Sequence, residues 1–217
     1  RSQPLPTGGH LEQADGTAWM AFYCLTMLGM ALELARDNPA YEDVASKFFE
    51  HFIAVAGAIN TLDGTGLWDE EDGFFYDNLH VNGHFVPLRL RSMVGLVPLL
   101  ACEILDDDVI DRLPGFRRRM NWFLQNRQDV TAAIACTAAT RGDARGQRLL
   151  AIPSKARLER VLRYMLDESE FLAPNGVRSL SRVYHEDPYI LRFDGQEYGV
   201  RYAPAESEEG LFGGNSN

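Results

Sequence analysis

Residues 18–36 read AWMAFYCLTMLGMALELAR, a stretch rich in Ala, Leu and Met that is apolar on nearly every helical face. This pattern predicts an α-helix surrounded by other parts of the protein, since an all-round apolar helix needs burial to be stable. Its uncharged part, residues 18–32, contains Thr26 and is followed by Glu33. This uncharged part is too short for a membrane span, so we predict that the protein has no membrane partner.

The next helix has one polar face. Asn38 supplies an N-cap and Pro39 fits the first helical position, with acidic residues close behind. A buried helix followed by an amphipathic one predicts an inner and outer pair in a barrel or solenoid of helical hairpins. The apolar positions recur at three- and four-residue spacing: Tyr41, Val44, Ala45, Phe48, Phe49, Phe52, Ile53, Ala56 and Ile59.

The same order recurs further along the chain. Residues 93–105 are mostly apolar, although Gly95 and Pro98 weaken the helical pattern, and residues 109–126 are amphipathic. Ser154 can cap a further, shorter helix. We therefore predict an all-α fold class made of helical hairpins.

Smaller elements are predicted between and after these helices. The Asn82-Gly83 dipeptide predicts a two-residue turn between strands Phe75–Val81 and His84–Leu88. The second half of residues 129–153 has no clear period and predicts a loop. The tail from Ala173 onward predicts long loop or short strands.

Composition restricts the partners. The 217 residues suffice for one domain with a real core, or two small domains, and 46% hydrophobic residues indicate a soluble globular protein. Lys plus Arg is 21 against 31 for Asp plus Glu, and the net charge of -10 argues against nucleic acid as a partner and favours a neutral substrate. The chain starts at Arg1 and ends in a turn-like segment, so we expect a piece of a longer protein.

No cofactor and no metal are predicted. The three cysteines, Cys24, Cys102 and Cys136, are too few and too widely spaced for a disulfide framework or a thiolate zinc site. His80 and His84 have i,i+4 spacing, but the predicted turn between them removes the helical geometry that zinc sites use. The phosphate-binding and nucleophile-elbow motifs GxxxxGK[ST], GxGxxG and GxSxG are absent from the sequence.

The first candidate site lies just before the buried helix. Glu12 and Asp15 supply carboxylates and Trp19 an indole, a combination that can hold a sugar by hydrogen bonds and ring stacking. The alternative for Asp15 or Thr17 is a cap of the helix, and the two roles are compatible.

The second candidate is the segment WDEEDGFFYD, residues 68–77. Trp68 could pack on a sugar face and Asp77 could point a carboxylate from a strand end. A core tryptophan and a turn aspartate are the alternatives. Most of the four acids at 69–72 are interpreted as solvated turn residues, and calcium is a weaker option because the EF-hand spacing is missing. Glu206 is a third candidate carboxylate, with an exposed charged loop as the alternative.

Six sequence blocks occur in one order along the chain: PLPTGGHLEQADGTAWMAFYCLTMLGMALELA, YEDVASKFFEHF, LWDEEDGFFYD, RSMVGLVPLLA, LDESEFLAPNGVRSLSRVY and GLFGGNSN. Together these blocks resemble bacterial members of glycoside hydrolase family 63, which includes mannosyl-oligosaccharide glucosidase and mannosylglycerate hydrolase-like enzymes. The resemblance spans almost the whole chain.

The resemblance implies an (α/α)6 toroid, of which this chain would be an incomplete, central part truncated at both ends, and inverting hydrolysis of an α-glycosidic bond. The remainder of the parent catalytic domain would be its partner and a carbohydrate its substrate. In the family, the general acid lies upstream of the block around Leu11–Trp19 and the general base lies downstream of Asn217. The catalytic residues of this chain therefore stay unknown, and the resemblance assigns none of them here.

Two other functions remain open at this point. A sugar epimerase or isomerase on a similar toroid would need a histidine pair, and the five histidines show no spacing that suggests one. A non-catalytic carbohydrate-binding module could use the same aromatic and acidic loops.

Overall fold

The structure is a computed structural model that describes residues 10–12, 14–60, 66–81, 84–131, 135–138, 146–193 and 195–204. The chain divides into two compact units. The first comprises Arg1–Ala14, Asp69–Leu96 and Arg157–Asn217, and the second comprises Asp15–Trp68 and Val97–Ala156. The prediction that all 217 residues are part of one domain stays a prediction.

The described residues form α-helices and two 3₁₀-helices. The long helices α1 and α2 and the helix after Ser154 lie where the sequence predicts them. The α-helices are α1 (Ala14–Ala35), α2 (Tyr41–Asn60), α3 (Asp107–Arg112), α4 (Pro114–Asn126), α5 (Gln128–Thr131) and α6 (Lys155–Met165), and the 3₁₀-helices are Met93–Leu100 and Arg182–His185.

Short strands form five small sheets in the described part of the chain. The three-stranded sheets have the orders β1-β4-β5 and β6-β8-β7, and the pairs are β2-β3, β9-β10 and β11-β12. The strands are β1 (His10–Glu12), β2 (Trp68–Asp69), β3 (Phe74–Phe75), β4 (Asp77–Val81), β5 (His84–Leu88), β6 (Cys102–Asp106), β7 (Ala135–Ala138), β8 (Gln147–Ala151), β9 (Leu172–Ala173), β10 (Gly176–Val177), β11 (Tyr189–Phe193) and β12 (Gln196–Val200).

The predicted all-α fold class, an incomplete (α/α)6 toroid, is wrong. About 52% of the structure is helical and 23% lies in antiparallel strands, a mixed content that an all-α toroid does not have. The error is clearest at residues 93–105, where the predicted helix is a 3₁₀-helix that contains Pro98 and is followed by β6. Strand β6 pairs with β8, in a segment whose sequence predicts a loop.

Aromatic rings hold the core of the second unit. Phe49 of α2 makes edge-to-face contacts with Phe116 and Phe123 of α4, at centroid distances of 5.8 and 6.1 Å. The Glu42 carboxylate of α2 accepts a hydrogen bond of 2.7 Å from the Phe116 backbone N–H, which has no acceptor inside the first turn of α4. Side-chain packing and this cap together join α2 to α4.

The first unit has its own aromatic core. Phe74 of β3 stacks on Phe171 with centroids 5.8 Å apart and meets the Tyr164 ring of α6 edge-on at 5.5 Å. A second buried cluster contains Leu180, Tyr184 and Tyr202. The predicted strand pairing is confirmed as β4 and β5, with His80 opposite Phe85 and Val81 opposite His84, while the predicted turn residues Asn82 and Gly83 lie outside the described residues.

Candidate functional site

Asp77 caps helix α1. It is the first residue of β4, and its Oδ1 accepts a hydrogen bond of 2.7 Å from the backbone N–H of Ala14, where α1 begins. A carboxylate at this position satisfies an orphan N–H and faces the positive end of the helix dipole. The structure therefore gives Asp77 a role in positioning the start of α1, and its predicted contact with a sugar stays a prediction.

Asp15 and Trp19 follow directly in α1. The Asp15 carboxylate accepts a hydrogen bond of 2.6 Å from the Gly16 N–H, so it contributes to the first turn. Trp19 lies one turn later, on the same side of the helix as Asp15 because residues at i and i+4 share a face. Its indole is 49% exposed and touches Phe22 edge-on at 5.7 Å.

The other predicted site residues are distributed over both units. Glu12 belongs to β1 in the first unit, with Asn78 of β4 as its backbone partner, and its side chain lies outside the described part of the structure. Trp68 is half-buried in the second unit, at the start of β2. Glu206 lies outside the described residues.

The acidic run after Trp68 is paired with arginines. The Asp69 carboxylate is only 12% exposed and contacts the Arg89 guanidinium at 2.9 Å, so it is not a solvated turn residue. Glu70, which is largely exposed, bonds to Arg160 at 3.1 Å. The described residues contain no cluster of acids and histidines able to hold a metal ion.

Arg160 also fixes the turn itself. Its guanidinium donates hydrogen bonds to the carbonyl oxygens of Glu70 and Glu71, at 2.6 and 2.9 Å. Gly73 in this turn has a φ of 73°, in the left-handed region that favours glycine, and a Cβ there would lie 2.2 Å from Arg160 Nε. The acids, the arginine and the glycine therefore act as one structural turn.

Sequence reasoning missed a polar network in the first unit. The buried carboxylate of Glu170 accepts hydrogen bonds from Arg91, at 3.1 and 3.0 Å, and from the Ser181 hydroxyl. The Tyr184 hydroxyl accepts a hydrogen bond of 2.9 Å from the Arg91 backbone N–H, and the Arg91 guanidinium lies over the Tyr164 ring. No local spacing in the sequence indicates this network, because Arg91 and Glu170 are 79 positions apart.

Burial affects the pKa values of two tyrosines and one arginine in this part of the first unit. Burial raises the pKa of Tyr76, and the hydrogen bond of its hydroxyl to Asp72, at 2.9 Å, raises the pKa further. Burial likewise raises the pKa of Tyr184. Burial, the largest single cause, lowers the pKa of Arg91, but the hydrogen-bonded Glu170 together with Tyr184 and Tyr76 outweighs it, so the pKa is raised. The tyrosines therefore stay neutral and the arginine stays charged. These protonation states favour a structural role for the residues over a role in proton transfer.

Comparison with known proteins yields two relatives and no function. No protein-family model matches the chain, and no solved structure matches it. The chain is 46% identical, over its whole length, to a Saccharomyces cerevisiae protein named Uncharacterized protein YMR196W, of which it covers 21%. It is 32% identical over 82 residues to an uncharacterized protein of Borreliella burgdorferi, covering 38% of the chain and 16% of that protein. The chain thus spans about a fifth of the yeast relative's length.

Proposed function

We propose that this chain is a segment of an inverting α-glycosidase that hydrolyses glucosyl- or mannosyl-containing oligosaccharides or small glycosides. The ordered resemblance of six sequence blocks to glycoside hydrolase family 63 supports this activity. The proposal does not depend on an all-helical toroid, because it concerns the reaction and the contacts with the sugar.

The observation that carries the proposal is the pair Asp15 and Trp19 on one side of α1. An exposed indole offers a flat apolar surface to the C–H face of a pyranose, while a neighbouring carboxylate accepts hydrogen bonds from sugar hydroxyls. Asp77 holds the first residue of this helix in place. In the proposed enzyme, this turn of α1 is a wall of the sugar site.

The general acid and general base come from outside the chain in this proposal. An inverting glycosidase separates its two carboxyl groups by roughly 6.5–9.5 Å, so that a water molecule fits opposite the leaving group. One carboxyl must be protonated and the other ionised. Asp69 and Glu170 fit neither role well, because each is occupied by an arginine.

The activity is tested on the purified yeast relative, which carries the homologous segment in a longer chain. We expect hydrolysis of one member of a panel of α-glucosides and α-mannosides, with proton NMR showing the inverted anomer first. Binding of sugar without turnover would favour the carbohydrate-binding module, and conversion to an isomeric sugar would favour the epimerase.

The sugar contact is tested on this chain with Trp19→Ala. Trp122→Ala is the matched control, because Trp122 lies on α4 of the same unit and is equally exposed, at 47%. We expect Trp19→Ala to weaken binding of maltose or methyl α-mannoside by about two- to tenfold in calorimetry, the range of one aromatic contact. Trp122→Ala leaves the affinity unchanged. Equal affinities in both variants would contradict the assignment.

A further inference from the structure

The outer face of helix α4 is basic in a chain that is acidic overall. Residues 112–127, which contain α4 and the residues next to it, have five of the 21 basic residues of the chain and none of its 31 acidic residues. The net charge of the whole chain is -10. The charge of this surface is thus opposite to that of the protein as a whole, and such a local reversal favours a negatively charged partner.

Some of these arginines bind carboxylates of the same unit, and others do not. Arg119 binds a carboxylate of α2, and Arg117 pairs with a carboxylate of α3 at 3.0 Å. Arg112 and Arg118 are exposed, and neither guanidinium has a hydrogen bond or an ion pair with another described residue. Each guanidinium carries five N–H donors, so these two arginines keep all of their donors for a ligand.

An exposed tryptophan lies beside Arg118 on this face. Four exposed residues share the outer side of α4, because positions i, i+3, i+4 and i+7 face one direction: Arg118, Asn121, Trp122 and Gln125. The Trp122 indole is 47% exposed, touches the Phe123 ring edge-on at 5.1 Å, and has the Arg119 guanidinium 5.7 Å from its centroid. These contacts hold the indole in place. Tryptophan and arginine are the residues most enriched at the centres of protein–protein interfaces.

The charge distribution favours an acidic peptide over a nucleic acid as the partner. Helix α4 is about 20 Å long, so its basic face matches a short anionic ligand. A longer polyanion would extend over the remainder of the protein, where acidic residues predominate and repel it. The planar guanidinium matches the two oxygens of an Asp or Glu carboxylate, and the indole offers a flat surface to an apolar side chain of the same peptide.

We propose that the outer face of α4 binds an acidic peptide segment of a partner protein, with carboxylates on Arg112 and Arg118 and an apolar side chain on Trp122. The proposed sugar contact lies on a different helix, at Asp15 and Trp19, so this interface does not depend on the proposed glycosidase activity. Because its attraction is mainly between exposed charges, the binding weakens as the salt concentration rises.

The test is fluorescence anisotropy with the full-length protein that contains the chain. The probe is a short fluorescein-labelled peptide of glutamates around a central leucine, and a single-stranded DNA of the same charge is measured beside it. We expect saturable binding of the peptide at low salt, weaker binding at higher salt, and weaker binding of the DNA. Absence of peptide binding, or tighter binding of the DNA, would overturn the proposal.

Two double variants with the same net charge separate this face from general electrostatic attraction. Arg112→Gln with Arg118→Gln changes the proposed site, and Arg163→Gln with Arg182→Gln changes two exposed arginines of the first unit. We expect the first double variant to bind the peptide about three- to thirtyfold more weakly, the range of two exposed ion pairs, and the second to bind like the wild type. Both should keep the wild-type circular-dichroism spectrum, because all four side chains are exposed. Equal losses of affinity in the two double variants would overturn the proposal.

Discussion

Glu170 lies in the interior of the first unit, where it accepts hydrogen bonds from the Arg91 guanidinium and the Ser181 hydroxyl. The pair is not a surface salt bridge, because the Glu170 side chain is about one-tenth exposed. Burying two charges costs solvation free energy, and their attraction offsets that cost only while both are present. Removal of one partner therefore leaves an uncompensated charge.

We predict that Glu170→Gln lowers the free energy of unfolding by about 3 kcal/mol, as expected when one member of a buried pair is removed. Urea denaturation followed by circular dichroism measures this change. Glu71→Gln is the control, since Glu71 also contacts an arginine, Arg89 at 3.2 Å, but is highly exposed and should cost little. Equal losses in the two variants would refute a buried, energetically coupled pair.

Single residues also illustrate what sequence alone could indicate. The spacing of Asp15 and Trp19 on one helical face follows from the sequence, because i,i+4 neighbours are set by helix geometry. The role of Asp77 as a cap does not follow from the sequence, since its hydrogen-bond partner Ala14 is 63 positions away. Glu70 and Glu71 are exposed, as the sequence predicts for most of the 69–72 run, but their arginine partners could not be predicted, because Arg160, for example, is 90 positions from Glu70.

The 3₁₀-helix Met93–Leu100 is the element whose prediction failed most clearly. Gly95 and Pro98 already weaken the α-helical pattern there, and Pro98 cannot donate a backbone hydrogen bond. The close fit around Gly95 supplies a tertiary reason. A Cβ on Gly95 would lie 2.3 Å from both a Phe74 ring carbon and the Phe75 carbonyl oxygen, so this element approaches β3 too closely for any side chain.

We predict that Gly95→Ala lowers the free energy of unfolding by about 2–3 kcal/mol, because the methyl group forces the backbone of the 3₁₀-helix away from β3. Gly199→Ala in β12 is the matched control, since a Cβ there meets nothing within 4 Å. Thermal unfolding should show a markedly lower midpoint for Gly95→Ala alone. A midpoint like that of the wild type would mean that the approach is looser than described.

In the first unit as a whole, several buried tyrosines make the free energy of unfolding depend on pH in the same direction. Burial is the largest cause of the raised pKa values of Tyr76, Tyr184 and Tyr189. In the unfolded chain a tyrosine ionises near pH 10, whereas these folded tyrosines keep their protons to higher pH. The folded state then binds more protons than the unfolded state, so stability is complete below about pH 10 and is lost as the pH rises.

We predict that Tyr76→Phe reduces this alkaline loss, by at most about 1.4 kcal/mol per pH unit above about pH 10. The variant also loses the hydrogen bond to Asp72, so its stability at neutral pH falls by about 1 kcal/mol. Urea titrations at several pH values measure both effects. Tyr198→Phe, at an exposed tyrosine, should keep the wild-type slope, and an unchanged slope in Tyr76→Phe would contradict the prediction.

The sequence determined the elements that depend on local spacing. Helix α1 follows from a stretch that is apolar on nearly every face, helix α2 from apolar periodicity and an N-cap, and the β4-β5 pairing from a turn dipeptide between two short strands. Tertiary structure was needed for the rest. The β6-β8 pairing, the bond of Arg160 to the acidic run and the Asp77 cap join positions about 40 to 90 residues apart, and such pairings depend on which distant groups packing brings together. Local pattern carries no information about those distances, which is why the mixed fold replaced the expected all-helical one.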